Sequence, residues 1–247
     1  MNPPSPHSRR TTLAAWGVHL YTGSGAVLAM LALEAIGRDA FGTAFACLAV
    51  AMVIDCTDGT LARRVRVKEV LPQFDGAKLD DIVDYLTYAL VPIVLIVRAG
   101  LVPAGPFGLL IAALPLLASG YGFCQAAAKT PDHFFTGFPS YWNVVALYLF
   151  ALGWPPWAGA LVLLGFTIMV FVPIRYLYPS RTVTLQKTTY SLGIVWTIMV
   201  FVLLAQFPEP SRGLARLSLF FPAYYVALSL WLHWRTPPSP QSTIVRT

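Results

Sequence analysis

The chain has 247 residues, of which 57% are hydrophobic and only 11% charged, with 17 Lys and Arg against 11 Asp and Glu. A water-soluble domain carries about 25% charge, so most of this surface must face lipid rather than water. Collagen, an intrinsically disordered chain and a disulfide-stapled secreted domain are excluded by the same composition.

Residues 1–12 read as a Pro-, Ser- and Arg-rich cytoplasmic tail with no small-residue cleavage site behind a short apolar core, and hence no removed signal peptide. Eight apolar segments follow, at 13–36, 40–62, 76–97, 105–126, 141–154, 157–177, 188–205 and 214–233. A transmembrane helix needs about 20 apolar residues, so the fifth segment is short. Pro92, Pro115, Pro173 and Pro222 fall within or near these segments and are expected to kink them. Together they predict an all-α integral-membrane domain of about eight helices over 13–235, with a disordered cytoplasmic tail at 236–247. Cys47, Cys56 and Cys124 form no CxxC pair and read as buried packing thiols.

With the N-terminus in the cytoplasm, thirteen of the 17 bases fall on the cytoplasmic side and only Arg38, Arg98, Arg212 and Arg216 outside. That asymmetry supports an even helix count and two cytoplasmic termini. The basic surface then faces the anionic inner leaflet, and nucleic acid is not needed to explain it.

Seven of the 11 acids crowd into thirty residues, as Asp55, Asp58, Glu69, Asp75, Asp80, Asp81 and Asp84. Glu69, Asp75 and Asp81 read as solvated or structural. Asp55, Asp58, Gly59, Ala62 and Arg63 share one helical face, and Gly76, Asp80 and Asp84 share another. Two antiparallel helices would bring these faces together at the cytoplasmic third of the membrane. Four converging carboxylates need cations, and all-oxygen ligands favour Mg²⁺ or Mn²⁺. Gly59 and Gly76 leave space for something bulky, and Arg63 suits phosphate. Two metals, an open wall and an arginine predict a diphosphate site.

The stretches DCTDGTLAR and GAKLDDIVD resemble the DxxDGxxAR…GxxxDxxxD signature of the CDP-alcohol phosphotransferases. All eight fixed positions are present: Asp55, Asp58, Gly59, Ala62, Arg63, Gly76, Asp80 and Asp84. The spacer, Arg64 to Asp75, is twelve residues where most of the family has eight or nine. That length, with FTGFPSYWN and FVPIRYLYPSR further on, is similar to the bacterial branch that joins CDP-diacylglycerol to choline. The resemblance implies that Asp55, Asp58, Asp80 and Asp84 hold the metals, with Asp84 also the general base. It implies that Asp55, Asp58, Gly59, Ala62, Arg63, Gly76 and Asp80 bind CDP-diacylglycerol. It also implies release of CMP, a bacterial inner-membrane location with a cytoplasmic active site, and room for a homodimer.

Choline's quaternary ammonium calls for aromatic faces, and Tyr85, Tyr141, Trp142 and Tyr190 are the candidates. Arg175, Arg181 and Lys187 are candidates for the lipid phosphates. His19 and His233 read as interfacial or packing residues. A phosphatidylserine or phosphatidylglycerophosphate synthase is the alternative within the same chemistry. A divalent-cation transporter is the alternative outside it, and it would need acids continuing towards the outer side, which the later segments lack.

Overall fold

The computed structural model describes residues 8–125, 134–177 and 185–235. The tails at 1–7 and 236–247 lie outside these residues, as do Arg181 and the expected disorder of the C-terminal tail. Helix α1 (Arg9–Gly37) begins earlier than expected, because the Ser8 side chain caps it by accepting from the Thr11 N–H. The stretch 9–12 is therefore helix rather than tail.

A short turn leads to α2 (Phe41–Val65), which packs antiparallel along α1. The two helices share one buried cluster through small residues, Ala29, Ala32 and Ala35 on α1 and Ala44 on α2. Close backbone approach of this kind drives helix association where lipid removes the hydrophobic incentive. The spacer between the two signature stretches is folded. It contains a single helical turn, α3 (Val67–Val70), and its Val67 and Leu71 bury against Ala15 and Val18 of α1.

The third expected segment is a composite. Helix α4 (Gly76–Asp84) passes into a π-helical turn (Tyr85–Leu90) and then α5 (Val91–Arg98). The cause is Pro92 at the start of α5, which has no N–H to give and crowds the preceding turn. Helix α6 (Pro106–Cys124) keeps Pro115 buried within it. Next come α7 (Trp142–Leu152), α8 (Pro156–Phe171), α9 (Gln186–Ala205), α10 (Arg212–Ser218) and α11 (Phe220–Arg235). Between them lies a two-stranded antiparallel ribbon that the hydropathy pattern does not announce, β1 (Phe134–Thr136) with β2 (Arg175–Leu177), in which Thr136 pairs with Arg175. The Arg175 N–H donates to His233 Nδ1 at 3.3 Å and ties the ribbon to α11.

Among the described residues the architecture is all-α apart from that ribbon. Five helical stretches there, among them 212–235, are long and apolar enough to cross a membrane, while α7 and α8 are shorter apolar helices of 11 and 16 residues. The surface pattern is inverted relative to a water-soluble protein: Leu20, Leu117, Ile168 and Ile198 stand exposed around the bundle. The cysteines depart from expectation. Cys56 and Cys124 are exposed, and only Cys47 is half-buried.

Candidate active site

The two signature faces meet as the helical spacing requires. One oxygen each from Asp55, Asp80 and Asp84 lies within 4.8 Å of the others, and all three side chains are half-buried. Three like charges at that range repel by roughly 3 kcal/mol per pair in a partly buried setting. A divalent cation removes the repulsion, and three carboxylate oxygens are the donor set that hard cations prefer. The group can therefore hold a metal ion.

Asp58 stands apart from this group. It is buried one turn along α2, and Thr22 Oγ1 of α1 donates to its Oδ2 at 2.7 Å. Beside that pair, the Tyr21 and Thr57 hydroxyls lie 2.8 Å apart in a second α1–α2 hydrogen bond. Tyr88, in the π-helical turn, donates to Asp55 Oδ2 at 2.7 Å. The sequence assigns Thr22 no role and leaves Tyr88 among the general aromatics. Thr22 bonds 36 residues along the chain, a separation that carries no periodic signal.

Beyond Asp58, Gly59 and Ala62 continue the α2 stripe half-buried. Arg63 is exposed, its guanidinium donating to Thr60 Oγ1 at 2.9 Å. Gly76 opens α4 behind the cap supplied by Asp75, whose carboxylate accepts from the Lys78 N–H at 3.1 Å. A Cβ on Gly76 would lie 2.6 Å from His19 Cε1. In the direction of its missing Cβ, Gly76 thus makes room for an imidazole of α1. His19 packs against Phe74 at 4.3 Å and Trp16 at 5.8 Å between ring centroids. It is a buried packing residue, as expected, and its Nε2 has no hydrogen-bond partner among the described residues. Glu69 is a solvated charge facing Arg66 at 4.0 Å.

The four aromatic candidates separate. Trp142 is fully buried, its indole N–H donating to Ser119 Oγ at 2.8 Å and its ring against Phe138. It has no open face for a ligand and is a core residue, which corrects the expectation for it. Tyr85 turns towards α6, where its hydroxyl donates to the Leu116 carbonyl at 3.2 Å. Tyr190 is 46% exposed on α9. Of the four, Tyr141 stands by the carboxylates' own partner: its ring lies 5.9 Å from Tyr88 and 6.2 Å from Tyr225. Of the basic candidates, Arg175 is buried on β2 and Lys187 is exposed at the start of α9.

A family model described as CDP-alcohol phosphatidyltransferase matches residues 20–234 of the chain. The protein belongs to that family. As a CDP-alcohol phosphatidyltransferase it is an enzyme, and its family generally works with divalent metal ions, which the Asp55, Asp80 and Asp84 oxygens suit. Among curated relatives, the phosphatidylcholine synthase of Legionella pneumophila is 38% identical over 239 residues, covering 94% of this chain and 93% of that protein. The phosphatidylcholine synthase of Pseudomonas aeruginosa is 37% identical, covering 88% and 91%. That of Legionella bozemanae is 40% identical, covering 74% and 87%.

Proposed function

We propose that this phosphatidyltransferase joins the phosphatidyl group of CDP-diacylglycerol to choline and releases CMP. What supports the acceptor is the run of phosphatidylcholine synthases among the relatives, at 37–40% identity. What supports the chemistry is the carboxylate group held within 4.8 Å. Asp55, Asp80 and Asp84 would hold Mg²⁺ or Mn²⁺, with Asp58 completing a two-ion site once its carboxylate exchanges Thr22 for metal. Such ions neutralise the diphosphate and the charge developing on the leaving phosphate.

The chain's own residues do the rest. Arg63 is exposed at the cytoplasmic end of α2 and turns its guanidinium towards the phosphates, while Gly59, Ala62 and Gly76 keep the wall low beside the nucleotide. Asp84 accepts the proton of the choline hydroxyl. The freed oxygen bonds to the phosphorus that carries diacylglycerol, the bond between the two phosphates breaks, and CMP leaves with its electron pair. Tyr141, between Tyr88 and Tyr225, offers an aromatic face beside the carboxylates' own partner for the trimethylammonium group. Arg175, Arg181 and Lys187 supply positive charge on the cytoplasmic side, where the lipid diphosphate lies.

The enzyme sits in the bacterial inner membrane with both termini and the active site cytoplasmic, and its exposed apolar helix faces leave room for a homodimer. The test is CMP release by the purified protein with CDP-diacylglycerol, Mn²⁺ or Mg²⁺, and a panel of alcohols. Choline is expected to be the preferred acceptor. Asp84→Asn is expected to abolish turnover in a protein that still purifies folded. Tyr141→Leu is expected to raise the choline KM with little change for CDP-diacylglycerol. Preference for serine or glycerol phosphate would overturn the choline reading, and near-normal turnover by Asp84→Asn would remove the base.

A further inference from the structure

Tyr88 continues the stripe of Asp80 and Asp84, since the three fall at i, i+4 and i+8. It stands one turn further along the crossing than Asp84, and side chains on a helix lean towards its N-terminal end, here back towards the carboxylates. Its hydroxyl donates to Asp55 Oδ2 at 2.7 Å, across 33 positions of the chain. The donor is held in place. Tyr88 is only 6% exposed, its ring lies 5.9 Å from that of Tyr141, and Val91 and Ile93 just beyond it are buried in the core. A packed phenol has little freedom to follow a carboxylate that turns, so Asp55 is oriented by Tyr88 rather than the reverse. The contact therefore ties the orientation of one signature helix's carboxylate to the π-helical turn that follows the other.

We infer that Tyr88 is a positioning residue that sets the metal preference of the site: by engaging one oxygen of Asp55, it makes that carboxylate meet a cation through its other oxygen alone. The inference rests on the proposed role of Asp55 as a metal ligand. A carboxylate that chelates spends both oxygens on one ion. Ca²⁺ accepts this readily, because it is large and takes six to eight oxygens in loose geometry. Mg²⁺ demands a small, near-ideal octahedron, and the two oxygens of one carboxylate lie too close together to fill neighbouring corners of it. An Asp55 restricted to one oxygen therefore suits the smaller ion and deprives Ca²⁺ of a ligand. Groups that hold metal ligands in this way shape the ion's affinity without touching it.

The experiment follows Mn²⁺ binding to the full chain in detergent, with no lipid substrate or alcohol, by the electron paramagnetic resonance signal of the free ion. Bound Mn²⁺ is then displaced with Mg²⁺ or with Ca²⁺. Wild-type protein is expected to yield Mn²⁺ to Mg²⁺ at lower concentrations than to Ca²⁺. Tyr88→Phe keeps the ring and removes only the donor, and it is expected to narrow the ratio of the two displacing concentrations about tenfold in favour of Ca²⁺. An unchanged ratio, including one in which both ions weaken in proportion, would leave Tyr88 a merely structural residue and overturn the inference. If Tyr88→Phe does not fold, the wild-type ratio decides: equal displacement by Mg²⁺ and Ca²⁺ overturns the inference, and preference for Mg²⁺ upholds it. Failure of the wild-type protein to bind Mn²⁺ would instead overturn the proposed metal role of the aspartates.

Discussion

Gly76 illustrates how a signature glycine can serve a neighbouring helix as well as a ligand. A methyl group there meets the His19 imidazole at 2.6 Å from Cε1, so α1 and α4 close on each other only because the side chain is missing. Gly25 does the same in reverse further along α1, where a Cβ would lie 2.5 Å from Val83. Gly76→Ala is therefore expected to destabilise the protein by about 1–3 kcal/mol through overpacking. His19→Ala should relieve most of that loss in the double mutant, because the two sites touch. Thermal melting of the four variants in detergent checks this, and additive losses would contradict it. The i, i+3 and i+4 spacing makes Asp55, Asp80 and Asp84 legible from the amino-acid sequence alone. The same spacing also puts Asp58 on the Asp55 face, where its carboxylate accepts from Thr22. The partners on α1 are not legible, because single polar residues in an apolar helix have no period of their own. The aromatic candidates are the least legible. A tyrosine or tryptophan at a membrane interface looks the same in sequence whether it lines a site, as Tyr88 does, or fills the core, as Trp142 does.

At the scale of elements, the spacer between the two signature helices is a folded strut. Val67 and Leu71 are buried against Ala15 and Val18, so the approach to α4 is held to α1 through the spacer. Leu71→Ala is expected to cost about 2–5 kcal/mol, the usual range for truncating a buried leucine. It should also make the loop 66–75 more susceptible to protease, measured on the protein in detergent. An unchanged melting temperature would show that the spacer is not held. Apolar segmentation places most elements closely: 40–62 corresponds to Phe41–Val65, and 188–205 to Gln186–Ala205. It misses the breaks inside two segments, the π-helical turn at Tyr85–Leu90 and the division of the last helix near Leu219. Both interrupt a backbone ladder without interrupting hydropathy, which is why hydropathy does not reveal them. The β1–β2 ribbon escapes for a similar reason, being three residues a side and flanked by long apolar runs.

For the whole molecule, the testable property is its orientation. Lys68 and Arg212 are both exposed and lie at opposite ends of the bundle in the proposed topology. With Cys47, Cys56 and Cys124 changed to serine, Lys68→Cys should react with an impermeant maleimide only in inside-out vesicles, and Arg212→Cys only in intact spheroplasts. The opposite pattern would invert the whole arrangement. Orientation matters because CDP-diacylglycerol and CMP would be exchanged on one side of the membrane only. The π-helical turn after Asp84 bears on how such a protein can change over time. It accommodates one residue more than an α-helical turn, so α5 is rotated by roughly 100° relative to the phase α4 would otherwise impose. The core-packed half, α5, and the chemical half, α4, of this crossing thus keep separate angular registers, joined by a segment of fixed length. Val91, Ile93, Leu95 and Ile96 of α5 keep their places in the core, while a single-residue deletion within Tyr85–Leu90 would swing Asp80 and Asp84 away from Asp55. Length, more than composition, is what heredity has to preserve there.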